Sequence, residues 1–287
     1  MFKTMSKTSG IVGFLYGTAC GRAILKTIMD TGADRFAVSF LRSGASRLVI
    51  RRYARKNNII ISEKELRKFG SFRDFFVRDK AAVSFDNEPS HLISPCDGWI
   101  SIYPISPDSS FEIKGFRYRT QDLVTDRNLA EKYTNGVCVL IRLCASDYHH
   151  YCYIDDGWQG KNHFIPGELH SVQPSALERY PVIALNRRSW SILETENFGM
   201  VAQTEIGAII VGGIVNDKEN ERVRRGEEKG HFELAGSTIV LMFEPGRIQL
   251  LPEFAEGTFD NEVRVKQGMC IGTSVDKQTE GQVYSTE

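Results

Sequence analysis

The sequence predicts an α+β fold, with a basic helical region at residues 1–85 resting on a mostly antiparallel, β-rich domain at residues 86–287. Two patterns carry this reading. In the first segment apolar residues recur every three to four positions, the period of an amphipathic helix. Beyond about residue 90, short β-branched and aromatic runs alternate with Gly, Pro, Asn and Asp, the pattern of strands and turns. A chain of 287 residues can bury one large core or two small ones.

The helical stripes are Ile11, Val12, Phe14, Leu15 and Tyr16, then Ile24, Leu25, Ile28 and Met29, then Phe36, Val38, Phe40 and Leu41. Ser62-Glu-Lys-Glu65 reads as a capping box opening a short helix, because Ser62 and Glu65 can each satisfy the other's backbone N–H. Strands are expected at Trp99–Tyr103, Gly136–Leu143, Val182–Leu185, Ser189–Leu193, Ala208–Val211, Thr238–Phe243 and Arg247–Leu251. One helix is expected between strands, from Leu123 to Lys132. The polar residues 277–287 are expected to fray.

Formal charge sums to zero, but its distribution is uneven. Residues 1–56 hold eleven Lys and Arg against Asp30 and Asp34, a net of +9, and the rest of the chain carries −9. A basic amphipathic region suits an anionic membrane surface, and a helical subdomain with solvated arginines fits equally well. No apolar run reaches the length of a membrane span, and the first residues lack a signal peptide's apolar stretch and cleavage site. Nucleic acid is disfavoured as a partner, because no recognition motif accompanies the basic run and the body is acidic. Six scattered cysteines without a Cys-x-x-Cys pattern favour reduced, mostly buried thiols. A peripheral protein on the cytoplasmic side of the cell membrane is the expected location.

The chemistry concentrates in Gly236-Ser237-Thr238, directly before an apolar run. Gly236 has no Cβ, which opens its carbonyl to attack. Ser237 Oγ could attack that carbonyl and convert the peptide bond to an ester, and β-elimination would then leave a pyruvoyl group at a new N-terminus. Such a ketone takes up amine-bearing substrates. Without further context, the segment reads as a tight turn opening a core strand.

Context comes from a resemblance. The Gly-Ser-Thr segment, Ser71-Phe-Arg-Asp-Phe-Phe-Val-Arg78, Ser94-Pro-Cys-Asp-Gly98, Asp147-Tyr-His149 and Ile206-Gly-Ala-Ile-Ile-Val-Gly-Gly-Ile214 resemble, in the same order, the motifs of phosphatidylserine decarboxylases. The resemblance covers roughly residues 70–272. It implies self-cleavage between Gly236 and Ser237 into a β chain (1–236) and an α chain (237–287) that stay associated. It also implies a pyruvoyl cofactor derived from Ser237, no metal, and conversion of phosphatidylserine to phosphatidylethanolamine and carbon dioxide. By the same resemblance Ser237 is the nucleophile, His149 the base and Asp97 the carboxylate behind it, in the logic of an Asp-His-Ser triad. Gly212 and Gly213 are expected to permit close backbone approach or to stabilise an oxyanion. A homodimer is left open.

One departure stands out. The family motif continues with an Arg and then a second His, where this chain has His150 and Cys152. His150, Cys152 and His170 are therefore the candidates for a second acid or base. His149, Cys152 and Asp155 share a metal-like three-residue spacing, but no second ligand pair accompanies them. Three rival readings keep the same residues: an Asp-His-Ser hydrolase acting on an ester, a non-catalytic lipid-binding relative, and a pyruvoyl enzyme for a small amino acid or phosphoserine.

Overall fold

The structure, a computed structural model, describes residues 10–31, 34–78, 83–113, 115–144, 146–168, 170–208, 213–234, 237–258 and 261–275. Gly212, Gly236, the expected strand residues 209–211 and the polar residues 277–287 lie outside the described residues.

The body is built on a nine-stranded sheet. Its order is Glu221–Val223, Gly157–Gln159, Arg188–Thr195, Gly199–Ile206, Ser237–Phe243, Val137–Leu143, Gly98–Pro104 and Val263–Val265, with His163–Ile165 also paired to Arg188–Thr195. Every ladder is antiparallel, and a small sheet of Ile214–Asn216, Glu228–Phe232 and His150–Cys152 packs beside it. Ser237–Phe243 is buried at all seven positions because both faces of the sheet are covered. Side chains of a strand alternate between faces. Accordingly Val240 and Met242 join one core with Cys138 and Leu140, while Ile239, Leu241 and Phe243 join a second with Val139, Ile141 and Leu143. That second core also holds Tyr151 and Phe232 of the small sheet.

Two elements differ from expectation. Val182–Leu185 is a helical turn, entered through Pro181 at φ −74°, and its Val182 and Ile183 are buried. Four apolar residues fit a strand or a turn of helix equally, and the proline sets the helical choice. The expected helix from Leu123 to Lys132 splits into Thr120–Leu123 and Arg127–Glu131, the second capped where Asp126 Oδ1 accepts from Leu129 N at 3.1 Å.

The N-terminal helices run Gly10–Gly17, Ala19–Thr31, Asp34–Arg42, Arg47–Lys56, Glu63–Leu66 and Phe72–Phe76. The Ser62–Glu65 capping box is formed, with Glu65 N donating to Ser62 Oγ (3.2 Å) and Ser62 N to Glu65 Oε2 (2.8 Å). These helices pack in two places. Tyr16 is fully buried in the first core and its hydroxyl accepts from Ser171 N at 2.8 Å. The later helices instead form their own cluster of Ile50, Ala54, Phe72, Phe75 and Phe76 around Leu234. All six cysteines are free thiols, three of them buried.

Candidate active site

Register brings the key residues to one end of the large sheet. Ser237 pairs with Leu143, its neighbour Thr238 pairs with Ile206, and Trp99 pairs with Arg142. Asp97 lies two residues before Trp99, so it enters the sheet at this same end. By strand alternation Ser237 shares the face of Ile239, Leu241 and Phe243, against which the small sheet packs. The loop after Leu143 returns there too: Phe232 N donates to His149 O at 3.0 Å, five residues upstream of Ser237. Ser237 is 1% exposed and His149 is 1% exposed.

His149 sits in an apolar slot. Its ring centroid is 4.1 Å from that of Phe76, which belongs to the Ser71–Arg78 element. Neither ring nitrogen makes a hydrogen bond of good geometry among the described residues, and the Asp147 backbone exerts only a minor pull on the ring. Burial pushes its pKa down to about 4, against a weaker upward pull from Asp147. At neutral pH the ring is therefore an uncharged base with a free lone pair.

Asp97 is buried and accepts from Gln267 N (3.0 Å) and Lys266 Nζ (2.8 Å). Because neither nitrogen makes such a bond, Asp97 does not orient the His149 ring through a direct hydrogen bond in this structure. The carboxylate electrostatically closest in role is Asp147, buried and held by Arg264 Nη1 (3.0 Å), Arg264 Nη2 and Cys144 N (2.7 Å). Asp147 and Phe76 are the surroundings of His149 that motif reading left without a role. The signal is in the sequence, since Phe76 lies inside Ser71–Arg78 and Asp147 opens Asp147-Tyr-His149.

The other candidates separate. His150 is committed at both nitrogens, Nε2 to Val77 O (2.9 Å) and Nδ1 to Glu228 Oε1 (2.7 Å), and stacks between Tyr148 and His231. Cys152 N donates to Pro95 O at 2.9 Å, next to the Asp97 turn, and burial pushes its thiol up to about 12. His170 lies farther off, stacked on Tyr180 with Nε2 against Glu168 Oε2 at 2.6 Å. It reaches the sheet end through Asn186, whose Nδ2 donates to both His170 O and Gly207 O. Gly213 O accepts from Glu233 N at 2.9 Å, four residues before Ser237.

Metal-like groupings exist elsewhere than at His149, Cys152 and Asp155. Asp155 accepts from Asn197 N and Nδ2 and so caps a turn. His150, Glu228 and His231 bring three ligand atoms together, as do Asp86, His91 and Cys270. The latter group already faces Arg225, whose Nη2 donates to Asp86 O at 2.9 Å.

The fold and site define a β-rich enzyme in which a buried serine opens a central strand and a buried, neutral imidazole lies on the loop that follows the neighbouring strand Val137–Leu143. Residues 69–273 match the family model described as "Phosphatidylserine decarboxylase". The chain is 38% identical over 272 residues to "Phosphatidylserine decarboxylase proenzyme 2" of Clostridium acetobutylicum, covering 93% of each. It is 36% identical to "Phosphatidylserine decarboxylase proenzyme" of Clostridium beijerinckii, covering 91% of this chain and 84% of that one. A Desulfitobacterium hafniense proenzyme of the same name is 35% identical, with 86% of each covered. The chain belongs to the phosphatidylserine decarboxylase family.

Proposed function

We propose that this chain is made as a proenzyme, cuts itself between Gly236 and Ser237, and decarboxylates phosphatidylserine to phosphatidylethanolamine. The observation that carries the reading is the buried, neutral His149 on the loop that follows the strand paired with Ser237, in a chain of this family. His149 takes the Ser237 proton as Oγ attacks the Gly236 carbonyl. The ester then eliminates, leaving the Gly236 carboxylate and a dehydroalanine that takes up water and releases ammonia to become the pyruvoyl group. Asp147 supports the transient imidazolium, and Asp97, fixed by Lys266 and Gln267, holds the adjoining turn.

A pyruvoyl ketone at position 237 supplies an electron sink for loss of a carboxylate. Ser237 fits that role by placement, since it is buried and fixed at the first position of a central strand. The α chain, 237–287, contributes that strand between Gly199–Ile206 and Val137–Leu143, so ladders on both sides keep it associated after scission. His149 then returns a proton to the substrate carbon.

The N-terminal region, 1–85, is the membrane-contacting part of this reading. Seven of the eleven large apolar side chains exposed among the described residues lie between Phe14 and Ile60. Leu48 (87% exposed) shares its helix with Arg47, Arg51, Arg52, Arg55 and Lys56. No described helix is long and apolar enough to cross a membrane. A basic, apolar-studded surface binds peripherally to anionic lipid, here on the cytoplasmic side.

The test is release of carbon dioxide and phosphatidylethanolamine from phosphatidylserine in vesicles, against free serine and phosphoserine. The reading expects turnover of the lipid alone, and none by Ser237→Ala. Turnover by uncleaved Ser237→Ala, or of free serine in place of the lipid, would contradict it.

A further inference from the structure

Glu233 and Leu234, the fourth and third residues before Ser237, are both gripped by the N-terminal helices. Glu233 is 8% exposed. Its Oε1 accepts from Arg73 Nε (2.8 Å) and from Arg73 Nη2, and its Oε2 accepts from Arg42 Nη2 (2.8 Å). Burial alone would raise this carboxyl's pKa, but Arg73 and Arg42 together outweigh it and hold the group below its ordinary value. The clamp closes only because position 213 is glycine, since a Cβ there would stand 2.7 Å from Glu233 Oε2 and 2.8 Å from Glu233 Cβ.

Leu234 has a φ of 79°, in the left-handed region that a leucine occupies only when its surroundings impose it. Those surroundings are helical. The side chain is 2% exposed and buried with Ile50, Ala54, Phe72, Phe75 and Phe76. Two neighbouring residues of the β-rich body are thus anchored, one by charge and one by burial, to helices that precede them by more than 150 residues.

We propose that Arg42, Arg73 and the helical pocket for Leu234 form a clamp that positions the segment leading into the scissile bond, giving the N-terminal helices a part in self-processing. The inference rests on cleavage between Gly236 and Ser237. Attack by Ser237 Oγ on the preceding carbonyl needs a near-attack geometry, and a displacement of about 1 Å can cost about 100-fold in rate. Holding Glu233 and Leu234 leaves only two residues before Ser237 to be aligned. Arg42 and Arg73 are positioning residues, because they act through Glu233. After scission the same contacts retain the new end of the β chain.

The test follows fragment appearance in time after cell-free synthesis of the full chain. It compares wild type, Arg42→Gln with Arg73→Gln, Glu233→Arg, and Glu233→Arg with Arg73→Glu. Each is also made with Ser237→Ala, so that thermal midpoints compare uncut chains. We expect the double glutamine variant to cleave about 10- to 100-fold more slowly. We expect the charge swap to recover at least about fivefold over Glu233→Arg, as a directly paired contact requires. The uncut midpoints are expected to remain within a few degrees. Arg73→Lys, which keeps the charge but loses the fork, is expected between wild type and glutamine. A double glutamine variant that keeps pace with wild type would overturn the clamp alone, as would a charge swap without recovery in folded chains. A wild-type chain that yields no fragment would overturn the cleavage reading, and the clamp with it.

Discussion

The slot that holds the His149 ring and the pocket that holds His150 are reached from consecutive residues. In the first, the ring lies against Phe76 with no hydrogen bond of good geometry at either nitrogen among the described residues. In the second, Val77 O and Glu228 take both nitrogens and two aromatic rings cover the faces. Leaving a buried polar atom unpaired costs about 1–3 kcal/mol. A fold that leaves both nitrogens of His149 unpaired keeps its lone pair available for proton transfer. A fold that bonds both nitrogens of His150 uses it as a brace between the helix Phe72–Phe76 and the strand Glu228–Phe232.

The sharpest way to break this comparison is to substitute each ring. His149→Gln is expected to slow self-cleavage by about 100- to 10,000-fold, the usual range for losing a positioned base. His150→Gln is expected to change the rate less than about tenfold, its cost appearing in stability at about 1–2 kcal/mol. Fragment kinetics and denaturant unfolding of both variants check this, and similar rate losses at the two positions would erase the distinction.

Stability against pH sharpens it next. With a pKa of about 4 when folded and about 6.5 when unfolded, His149 binds a proton in the unfolded chain first. Its contribution therefore makes the fold less stable as pH falls from about 6.5 to about 4, by up to roughly 3 kcal/mol, and makes no difference above that window. Denaturation of Ser237→Ala with and without His149→Gln should show this slope only where His149 is present.

Asp147→Asn is a smaller perturbation, expected to slow cleavage by about tenfold because the imidazolium loses a nearby negative charge. The smallest expected effect lies farthest from the slot. Leu48→Asp should weaken flotation with anionic vesicles while leaving fragment formation in solution unchanged, and slowed cleavage would tie that surface to the site instead.

Much of this arrangement was legible in the chain, and the rest was hidden for physical reasons. The near-continuous apolar runs Thr238–Phe243 and Val137–Leu143 announce the central strands because both of their faces are covered. Gly199–Ile206 was missed because Gln203 and Glu205 look like solvent residues. Both are fully buried, with Glu205 paired to Lys229 at 3.0 Å and bonded by Gln203 and Asn216. Partners that lie 24 residues away in sequence leave no local mark. The Ser-Phe-x-x-Phe-Phe-x-Arg element was visible as a motif, but that Phe76 covers His149 and Arg73 holds Glu233 emerges only from the fold. Likewise the Asp97 turn was readable, whereas its bonds to Lys266 and Gln267 depend on a strand at the far edge of the sheet.

The most direct measurement is the intact mass of the purified chain under denaturing conditions, beside Ser237→Ala. Two fragments meeting at Gly236 and Ser237 are predicted for the wild type, the smaller one carrying a pyruvoyl N-terminus in place of serine, and one whole chain for the variant. A single whole chain for both would contradict self-processing at this serine.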